Sequence, residues 1–315
     1  MKAYALPDAD HPAALVDLPD PEVAPDGVRI RVTAASVNGF DVFEATGNMI
    51  RFMEHRFPTI VGRDFSGVVD AVGPEWPDVE VGDEVFGFVR SLPPLDVGTF
   101  AELVSEGPRL VIAGKPAGVS FIEAAAIPLA GCTALDAVDA VHPGPGDTVL
   151  VVGATGGVGA FAVQLAAQRG ATVIATAKAG EDEALVHSLG IAETVDYASA
   201  DLVATIRERY PDGIDVLIDL VNRGDAFGPV AALVRNGGRI ATTLGAADVD
   251  ALAVRGVRAT NVAGDPTHDK LAMLAAAVEA GTLTVPIQQT FGLDDVDAAI
   301  AAFTAGTRGK IVLLT

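Results

Sequence analysis

The segment that most constrains the fold is Gly153–Gly159, a glycine-rich heptad that directly follows the apolar run Thr148–Val152. Such a run suits a parallel strand that is buried on both faces, and the Ala-rich stretch Val158–Arg169 has the period of a helix. Glycines between strand and helix let the backbone turn tightly and approach a pyrophosphate, whose charge the helix start favours. The context therefore predicts a dinucleotide-binding turn.

After this turn, strands alternate with helices. We predict strands at Thr172–Thr176, Glu193–Asp196, Val216–Asp219, Arg239–Thr242 and Ala259–Val262. We predict helices at Asp182–Leu189, Ala200–Glu208 and Ala226–Val234. This alternation is typical of a doubly wound parallel sheet.

The residues before about position 115 have a different character, with short β-rich runs separated by Pro and Gly. Val28–Ala34, Phe65–Val72 and Asp83–Phe88 indicate an antiparallel, barrel-like β domain. Glu123–Ala140 is helical in period, with an expected interruption at Pro128 and Gly131. Beyond residue 265 the pattern predicts two more helices and a final strand: His268–Ala280, Asp294–Phe303 and Lys310–Leu314.

Charge and cysteine content limit the partners and the compartment. The formal net charge is −21, from 42 acidic and 21 basic residues. This charge repels phosphate backbones and anionic lipids, so we expect neither nucleic acid nor a membrane as partner. Cys132 is the single cysteine, and no signal-like segment follows Met1. A reducing interior fits best, and we expect a cytoplasmic protein.

The end of the second predicted strand bears on the choice of dinucleotide. An NAD site usually has an acidic residue about 20 positions past the glycines, where it binds the ribose 2′-hydroxyl. Here Thr176 is followed by Ala177 and Lys178, and Lys178 suits a 2′-phosphate. Tyr197, past the third strand, could reach the same phosphate. We interpret Glu181–Glu183 as the stabilised start of the next helix. These residues favour NADPH over NADH.

Several segments, in this order, resemble the quinone oxidoreductases of the medium-chain dehydrogenase/reductase superfamily. The glycine turn with Gln164 resembles that family's A-x-x-G-G-V-G...Q stretch. The other matching segments are Ser36–Asp41, Val61–Gly67, Val81–Val85, Glu123–Pro128 with Thr133-Ala134, and Gly309–Leu313.

The resemblance implies an α/β protein with a GroES-like β-rich catalytic domain and a Rossmann domain. We expect residues 1–117 to be the first part of the catalytic domain and residues 118–256 to be the NADPH-binding Rossmann domain. Residues 257–315 should then supply the edge strand of the Rossmann sheet and return to the catalytic domain. The implied dinucleotide-binding residues are Asn38, Thr133, Ala154, Thr155, Gly156, Gly157, Val158, Thr176, Lys178, Tyr197, Leu244, Gly245 and Lys310.

The same comparison argues against a catalytic zinc ion. Zinc-dependent relatives have a Cys in the Ser36–Asp41 loop and Gly-His-Glu in place of Gly62-Arg63-Asp64. A catalytic zinc needs about three Cys, His or carboxylate ligands, and Arg63 would place a positive charge beside the ion. Only Asp41 and Asp64 remain as oxygen ligands, so we expect no metal.

Hydride transfer from NADPH to a quinone or an α,β-unsaturated carbonyl needs no metal, and we expect this activity. The candidate catalytic residues are Asn38, Arg63 and Asp64. Asn38 could donate to the acceptor oxygen or cap the loop, and Arg63 could act as an electrophile or pair with Asp64 or Asp41. The alternatives are a zinc-dependent alcohol dehydrogenase with atypical ligands and a non-catalytic NADPH-binding protein.

The substrate and the assembly are also open to prediction. Ala45–Met49 lacks the Arg and Tyr of the family's R-x-G-x-Y arrangement. The neighbouring apolar side chains predict a small hydrophobic carbonyl or quinone substrate; they are Phe43, Met49, Phe52, Met53 and Phe57. Ala259–Val262 should be an exposed edge strand without proline, and two such edges can pair by two-fold symmetry. We therefore expect a homodimer.

Overall fold

The computed structural model describes residues 1–76 and 79–315, and these form two compact units. Unit 1 combines Met1–Leu129 with Pro266–Thr315, and unit 2 is Ala130–Asp265. The helices and strands are numbered below in chain order. No helix among the described residues is both long enough and apolar enough to cross a membrane.

The first part of unit 1 is mostly strand. Its strands are β1 Lys2–Leu6, β2 Ala14–Asp17, β3 Val28–Ser36, β4 Thr59–Ile60, β5 Asp64–Val72, β6 Glu84–Val89, β7 Leu103–Glu106 and β8 Leu110–Gly114. Its helices are α1 Gly39–Ala45 and α2 Phe121–Ala126, and α3 Pro128–Val141 leads into unit 2. Pro128 separates α2 from α3 as expected, whereas Gly131 lies within α3 without interrupting it.

Unit 2 alternates strands and helices. Its strands are β9 Thr148–Val152, β10 Thr172–Thr176, β11 Glu193–Val195, β12 Ile214–Asp219, β13 Val234–Thr242 and β14 Arg258–Asn261. Its helices are α4 Gly157–Gln168, α5 Glu181–Ser188, α6 Leu202–Arg209, α7 Phe227–Ala231 and α8 Val249–Ala253. Unit 1 then resumes with α9 His268–Glu279, β15 Ile287–Gly292, α10 Val296–Thr304 and β16 Lys310–Leu314.

The sheet of unit 2 is fully parallel, in the order β11-β10-β9-β12-β13-β14. The order reverses between β9 and β12, which is the doubly wound arrangement that the alternating pattern predicted. Its core contains the aliphatic residues of the central strands, including Leu150, Ile174 and Leu217. Since all strands run the same way, the loops after β9, β10, β11, β12 and β13 meet at one edge of the sheet.

Unit 1 contains two sheets. One has the order β2-β1-β4, and the larger one has the order β15-β16-β3-β5-β6-β8, with β7 also paired to β3. The pairs are antiparallel except β15 with β16. The core includes Phe65, Phe100 and Ile311, so the C-terminal strand is part of the same unit as the N-terminal strands. This agrees with the mixed α/β architecture and the GroES-like sheet domain that the sequence predicted.

One expected boundary differs from that of the compact units. The first unit continues to Leu129 rather than to residue 117 because α2 packs on β3 and β5, where Ser66 Oγ donates to Phe121 O at 2.6 Å. The second unit ends at Asp265 and includes β14, the strand that was expected after residue 256 at the edge of the Rossmann sheet.

The helix predicted at Ala226–Val234 is much shorter. α7 covers Phe227–Ala231 only, and Val234 already pairs with Ile214 as the first residue of β13. Gly228 and Pro229 occupy this helix, and both have low helix propensity. The apolar residues between Ala226 and Val234 therefore belong partly to a short helix and partly to the start of the next strand.

Candidate dinucleotide site and buried polar network

The glycine turn joins β9 to α4 as predicted, and two of its glycines are required by the backbone. Gly153 has φ +87°, and a Cβ there would lie 2.7 Å from Val221 Cγ1. A Cβ on Gly159 would lie 2.1 Å from the carbonyl oxygen of Gly153. Strand and helix thus approach each other too closely for any side chain, which is the geometry of a dinucleotide turn.

The start of α4 can accept an anion. Gly156 is the N-cap residue, with extended backbone and no side chain that caps the helix. The first amides of a helix lack partners within it, and they favour a negative charge. The predicted residues Ala154, Thr155, Gly156, Gly157 and Val158 all lie in this turn.

Thr176, at the end of β10, supports the turn from the side. Its Oγ1 accepts from Gly153 N at 2.9 Å and donates to Val151 O at 3.4 Å, and the side chain is buried. Its hydroxyl therefore serves the protein backbone. Its expected role in dinucleotide binding stays a prediction.

Lys178 and Tyr197 lie together where β10 and β11 end. Lys178 Nζ is 5.7 Å from the centroid of the Tyr197 ring, and both side chains reach the surface. Ala177 N donates to Val195 O, which holds the two loops side by side. The acidic residues Glu181–Glu183 form the first turn of α5, as predicted.

The remaining predicted residues of unit 2 lie in two other places. Leu244 and Gly245 follow β13, and Gly245 has φ +67°. Thr133 lies in α3 and is buried, and a Cβ on Gly264 would lie 2.0 Å from its Oγ1. Leu244 and Gly245 thus lie at the sheet edge that carries the glycine turn, and Thr133 packs against the segment after β14.

Asp219, at the same end of the sheet, was not predicted from the sequence as part of this site. Asp219, the last residue of β12, is buried and accepts from the backbone of Val221 and Asn222 at 3.1 and 2.9 Å. This fixes the loop that brings Val221 beside Gly153. Its position in the sequence could have indicated this role. Asp219 is the last residue of a predicted strand, and that strand lies beside the strand before the glycine turn.

Unit 1 holds a buried polar network around Asp64. Asp64 Oδ2 accepts from Ser36 Oγ and Asn38 Nδ2, both at 2.9 Å, and Oδ1 accepts from Leu129 N at 3.0 Å. Lys310 Nζ donates to Asn38 Oδ1 at 2.5 Å and lies 3.9 Å from Asp64 Oδ2. The four side chains are each less than a tenth exposed. β3, β5 and β16 position them, since Ser36 lies opposite Asp64 in register.

The amide of Asn38 is fully engaged in this network. Nδ2 donates to Asp64 and, at 3.3 Å, to Ser36 O, while Oδ1 accepts from Lys310. The reverse amide orientation would set Nδ2 against an ammonium and Oδ1 against a carboxylate, so the neighbours fix the assignment. Asn38 is also the N-cap of α1. Which of its two expected roles Asn38 takes stays a prediction.

Burial shifts the pKa of the ionisable groups in the network. It raises the pKa of Asp64, although the neighbouring Lys310 and the hydrogen bonds from Asn38 and Ser36 oppose the shift. Burial and the charge of Asp64 raise the pKa of Asp41 to about 8. Burial lowers the pKa of Lys310, against the attraction of both carboxylates. Asp41 Oδ2 accepts from Asn38 N, and its Oδ1 has no hydrogen-bond partner.

Arg63 pairs with a residue that the sequence analysis did not consider. Its Nη2 donates to Glu44 Oε1 and its Nη1 donates to Val97 O at 2.8 Å, and the side chain is 1% exposed. The guanidinium also lies over the ring of Phe40, 5.1 Å from its centroid. The prediction that Arg63 pairs with Asp64 or Asp41 is therefore wrong, because Arg63 forms its ion pair with Glu44 on α1. Burial raises the pKa of Glu44 to about 7 even so.

The three phenylalanines among the predicted apolar residues divide into two groups. Phe43 and Phe52 are exposed, with ring centroids 6.0 Å apart. Phe57 instead packs against the core of unit 1 and stacks with His55. The exposed pair offers an apolar surface, whereas Phe57 supports the fold.

The network does not suit a zinc ion. No three His, Cys, Asp or Glu side chains in the described part of the chain come together as a metal site. The oxygens of Asp64 are already occupied by three protein donors, and Lys310 supplies the neighbouring positive charge. Zinc requires about three protein ligands with free lone pairs.

Comparison with known proteins identifies the family. The family model described as "Alcohol dehydrogenase GroES-like domain" matches residues 24–113, and the one described as "Zinc-binding dehydrogenase" matches residues 157–251. The NADPH-dependent alkenal/one oxidoreductase of Arabidopsis thaliana is 32% identical over 72% of this chain. The chain spans 57% of the length of that relative.

Two further relatives match over nearly their whole length. The 2-haloacrylate reductase of a Burkholderia species is 31% identical over 92% of this chain and 91% of its own. The solved structure of the quinone oxidoreductase from Coxiella burnetii superposes with a TM-score of 0.87 at 30% identity, covering 100% of this chain and 99% of that one. With its parallel dinucleotide sheet and its GroES-like unit, the chain belongs to the medium-chain dehydrogenase/reductase superfamily of oxidoreductases and is of the quinone oxidoreductase type.

Proposed function

We propose that this protein is an NADPH-dependent reductase that transfers hydride to a quinone or to an α,β-unsaturated carbonyl compound. The observation that carries the proposal is the position of Lys178 and Tyr197 at the strand ends beside the glycine turn. An ammonium at this position suits a 2′-phosphate, and no carboxylate takes the place of the usual ribose ligand at the end of β10.

The dinucleotide would be held mainly by backbone. The turn from Ala154 to Val158 would face the pyrophosphate, since the start of α4 has no side-chain cap. Lys178 and Tyr197 would bind the 2′-phosphate, and Thr133, Leu244 and Gly245 would lie towards the nicotinamide. When bound, the reduced nicotinamide supplies the hydride.

The exposed aromatic side chains of unit 1 agree with an apolar acceptor. Phe43 and Phe52 offer an exposed aromatic surface, which suits quinones, enones and enals. The names of the relatives agree, because they include an alkenal/one oxidoreductase, a 2-haloacrylate reductase and a quinone oxidoreductase. Water exclusion and positioning account for much of the rate when the acceptor is already electron-poor.

The polar network would act as a rigid support rather than as a set of free donors. Asn38, Asp64 and Lys310 use their hydrogen bonds on one another, and Arg63 neutralises Glu44. We infer that Asn38 and Asp64 hold the loop before α1 in place and that Arg63 does the same for α1. The proton that completes the reduction would then come from water.

The proposed activity is tested by the loss of nicotinamide absorbance with a panel of quinones, enals and enones, using NADPH and NADH in parallel. We expect turnover with NADPH and little with NADH. Lys178→Ala should raise the apparent Michaelis constant for NADPH about tenfold, because it removes about one charge-assisted hydrogen bond at an exposed site. It should leave NADH nearly unchanged.

Lys2→Ala is the matched control, because Lys2 is an exposed lysine of unit 1 that pairs with Asp294. Equal losses for both dinucleotides in Lys178→Ala would refute the role of Lys178. No consumption of NADPH with any acceptor would instead favour the non-catalytic alternative.

We also infer a homodimer and a cytoplasmic location. β14 ends the sheet of unit 2, and Val262 N donates to Thr242 O at 2.8 Å. Alternate residues of a strand bond to opposite sides, so the backbone groups of Ala259 and Asn261 face the unpaired edge. Two-fold pairing of this edge would satisfy them. The single, buried cysteine suits a reducing compartment.

A further inference from the structure

Unit 2 has a groove near the start of its strands, at the opposite end of the sheet from the glycine turn. It has a volume of about 450 Å³ and lies where β12 and β13 begin, between the end of α6 and the residues after α8. β12 has six residues, and a strand rises about 3.3 Å per residue, so roughly 20 Å separates the groove from the dinucleotide edge. We call it the arginine groove, after the lining residues Arg207, Arg235 and Arg255.

Two of these arginines are held in place. Arg235 Nε donates to Asp215 Oδ1 at 2.5 Å. Arg255 Nη2 donates to Val234 O, and its Nε donates to Asn236 Oδ1 at 3.4 Å. A guanidinium that is already fixed loses less conformational freedom when it binds a ligand.

The charges in the groove are not balanced. Three arginines line it against one carboxylate, Asp212. Among the described residues, neither Arg207 nor Arg255 has a carboxylate within 4 Å, although the chain has 42 acidic and 21 basic residues. A guanidinium group can form two parallel hydrogen bonds to the oxygens of one phosphate or carboxylate, which makes the contact geometrically specific.

The groove also has an aromatic wall. The Tyr210 ring is half-buried, and its hydroxyl donates to Glu193 Oε2 at 2.7 Å. Burial and this hydrogen bond raise the pKa of Tyr210 to about 12, so the ring bears no charge at neutral pH. Pro211 follows it in the lining, so two residues with rings line the groove together with its arginines.

We propose that the arginine groove binds a small phosphorylated molecule with a flat body, its phosphate between Arg207 and Arg255 and its body against Tyr210. This site lies in the same unit as the dinucleotide turn but at the other end of the strands. Its existence does not depend on the reductase activity proposed above.

The test uses phenyl phosphate as the probe, titrated calorimetrically into the protein saturated with NADP⁺. Phenol and inorganic phosphate are titrated in parallel. We expect phenyl phosphate to bind more tightly than either, and Arg207→Ala to weaken it about tenfold. Arg207 is exposed at the end of α6, so this variant should fold; Arg255→Gln is the second variant and should weaken binding similarly.

Arg51→Ala is the control, because Arg51 is an exposed arginine of unit 1. The proposal is overturned if the dissociation constant of phenyl phosphate exceeds about 10 mM, which is about tenfold weaker than millimolar binding. It is also overturned if phenol or phosphate binds as tightly, or if Arg51→Ala weakens binding equally.

Discussion

Replacing Lys310 by methionine removes the ammonium group that faces Asn38 and Asp64 while it keeps most of the side-chain volume. The change eliminates the hydrogen bonds to Asn38 Oδ1 at 2.5 Å and Val37 O at 3.1 Å, and the attraction to Asp64 Oδ2 at 3.9 Å. Loss of one partner from a buried ion pair costs about 3–5 kcal/mol. Asp64 keeps three donors, so we expect the lower end, about 3 kcal/mol.

Thermal unfolding followed by circular dichroism measures this loss. For a unit of this size, about 3 kcal/mol corresponds to a fall in Tm of roughly 6–12 °C. Asp64→Asn in the Lys310→Met background should restore part of it, because no buried charge then lacks a partner. Lys2→Met, which breaks an exposed pair with Asp294, should leave Tm unchanged. A Lys310→Met variant as stable as Lys2→Met, or a double variant that is the least stable of all, would show that Lys310 does not neutralise Asp64.

Four further predictions follow from other parts of the structure. The folded protein holds a proton on Asp41, with a pKa of about 8, that the unfolded chain releases near its ordinary value of 3.8. The free energy of unfolding should therefore fall as pH rises from about 4 to 8, by at most about 1.4 kcal/mol per pH unit, and urea titrations of Asp41→Asn should show a flatter profile. Gly159→Ala places a Cβ 2.1 Å from Gly153 O and should abolish dinucleotide binding in calorimetry, an outcome that normal affinity would contradict. Light scattering should give about twice 32.1 kDa for the native chain and a lower mass for Ala259→Pro, whose amide faces the unpaired edge; a native monomer would rule this out. Elemental analysis should find less than about 0.1 zinc per chain, against the roughly one ion that a catalytic site would hold, and chelators should not reduce activity.

The elements that the sequence predicted best are those whose signal is local. β9, β10 and β16 have the predicted bounds, because each is an apolar run between turn residues. The glycine turn was equally predictable from the sequence, because the strand, the glycines and the helix follow one another directly along the chain. Lys178 and Tyr197 each follow a predicted strand, and adjacent parallel strands bring such positions together.

The polar network could not be predicted in the same way. Arg63 pairs with Glu44, which lies 19 positions earlier on α1, and nothing in the local pattern selects it over Asp41 or Asp64. Lys310 and Asn38 are 272 positions apart and meet only because β16 pairs with β3. The arginine groove likewise combines three separate segments of unit 2. Contacts of this kind depend on strand order and register, which composition and spacing leave open.

The close contact between Gly153 and Gly159 has a consequence for how the coenzyme preference of this protein can change. Because these two glycines leave no room for a side chain, neither of them can be changed to discriminate between the two coenzymes. If the proposed assignment holds, the choice of coenzyme rests with the tips of the neighbouring loops, where Lys178 and Tyr197 can be replaced without disturbing the glycine turn. Binding of a coenzyme and choice between coenzymes would then depend on different residues, and a redesign for NADH would need to alter only the loop tips.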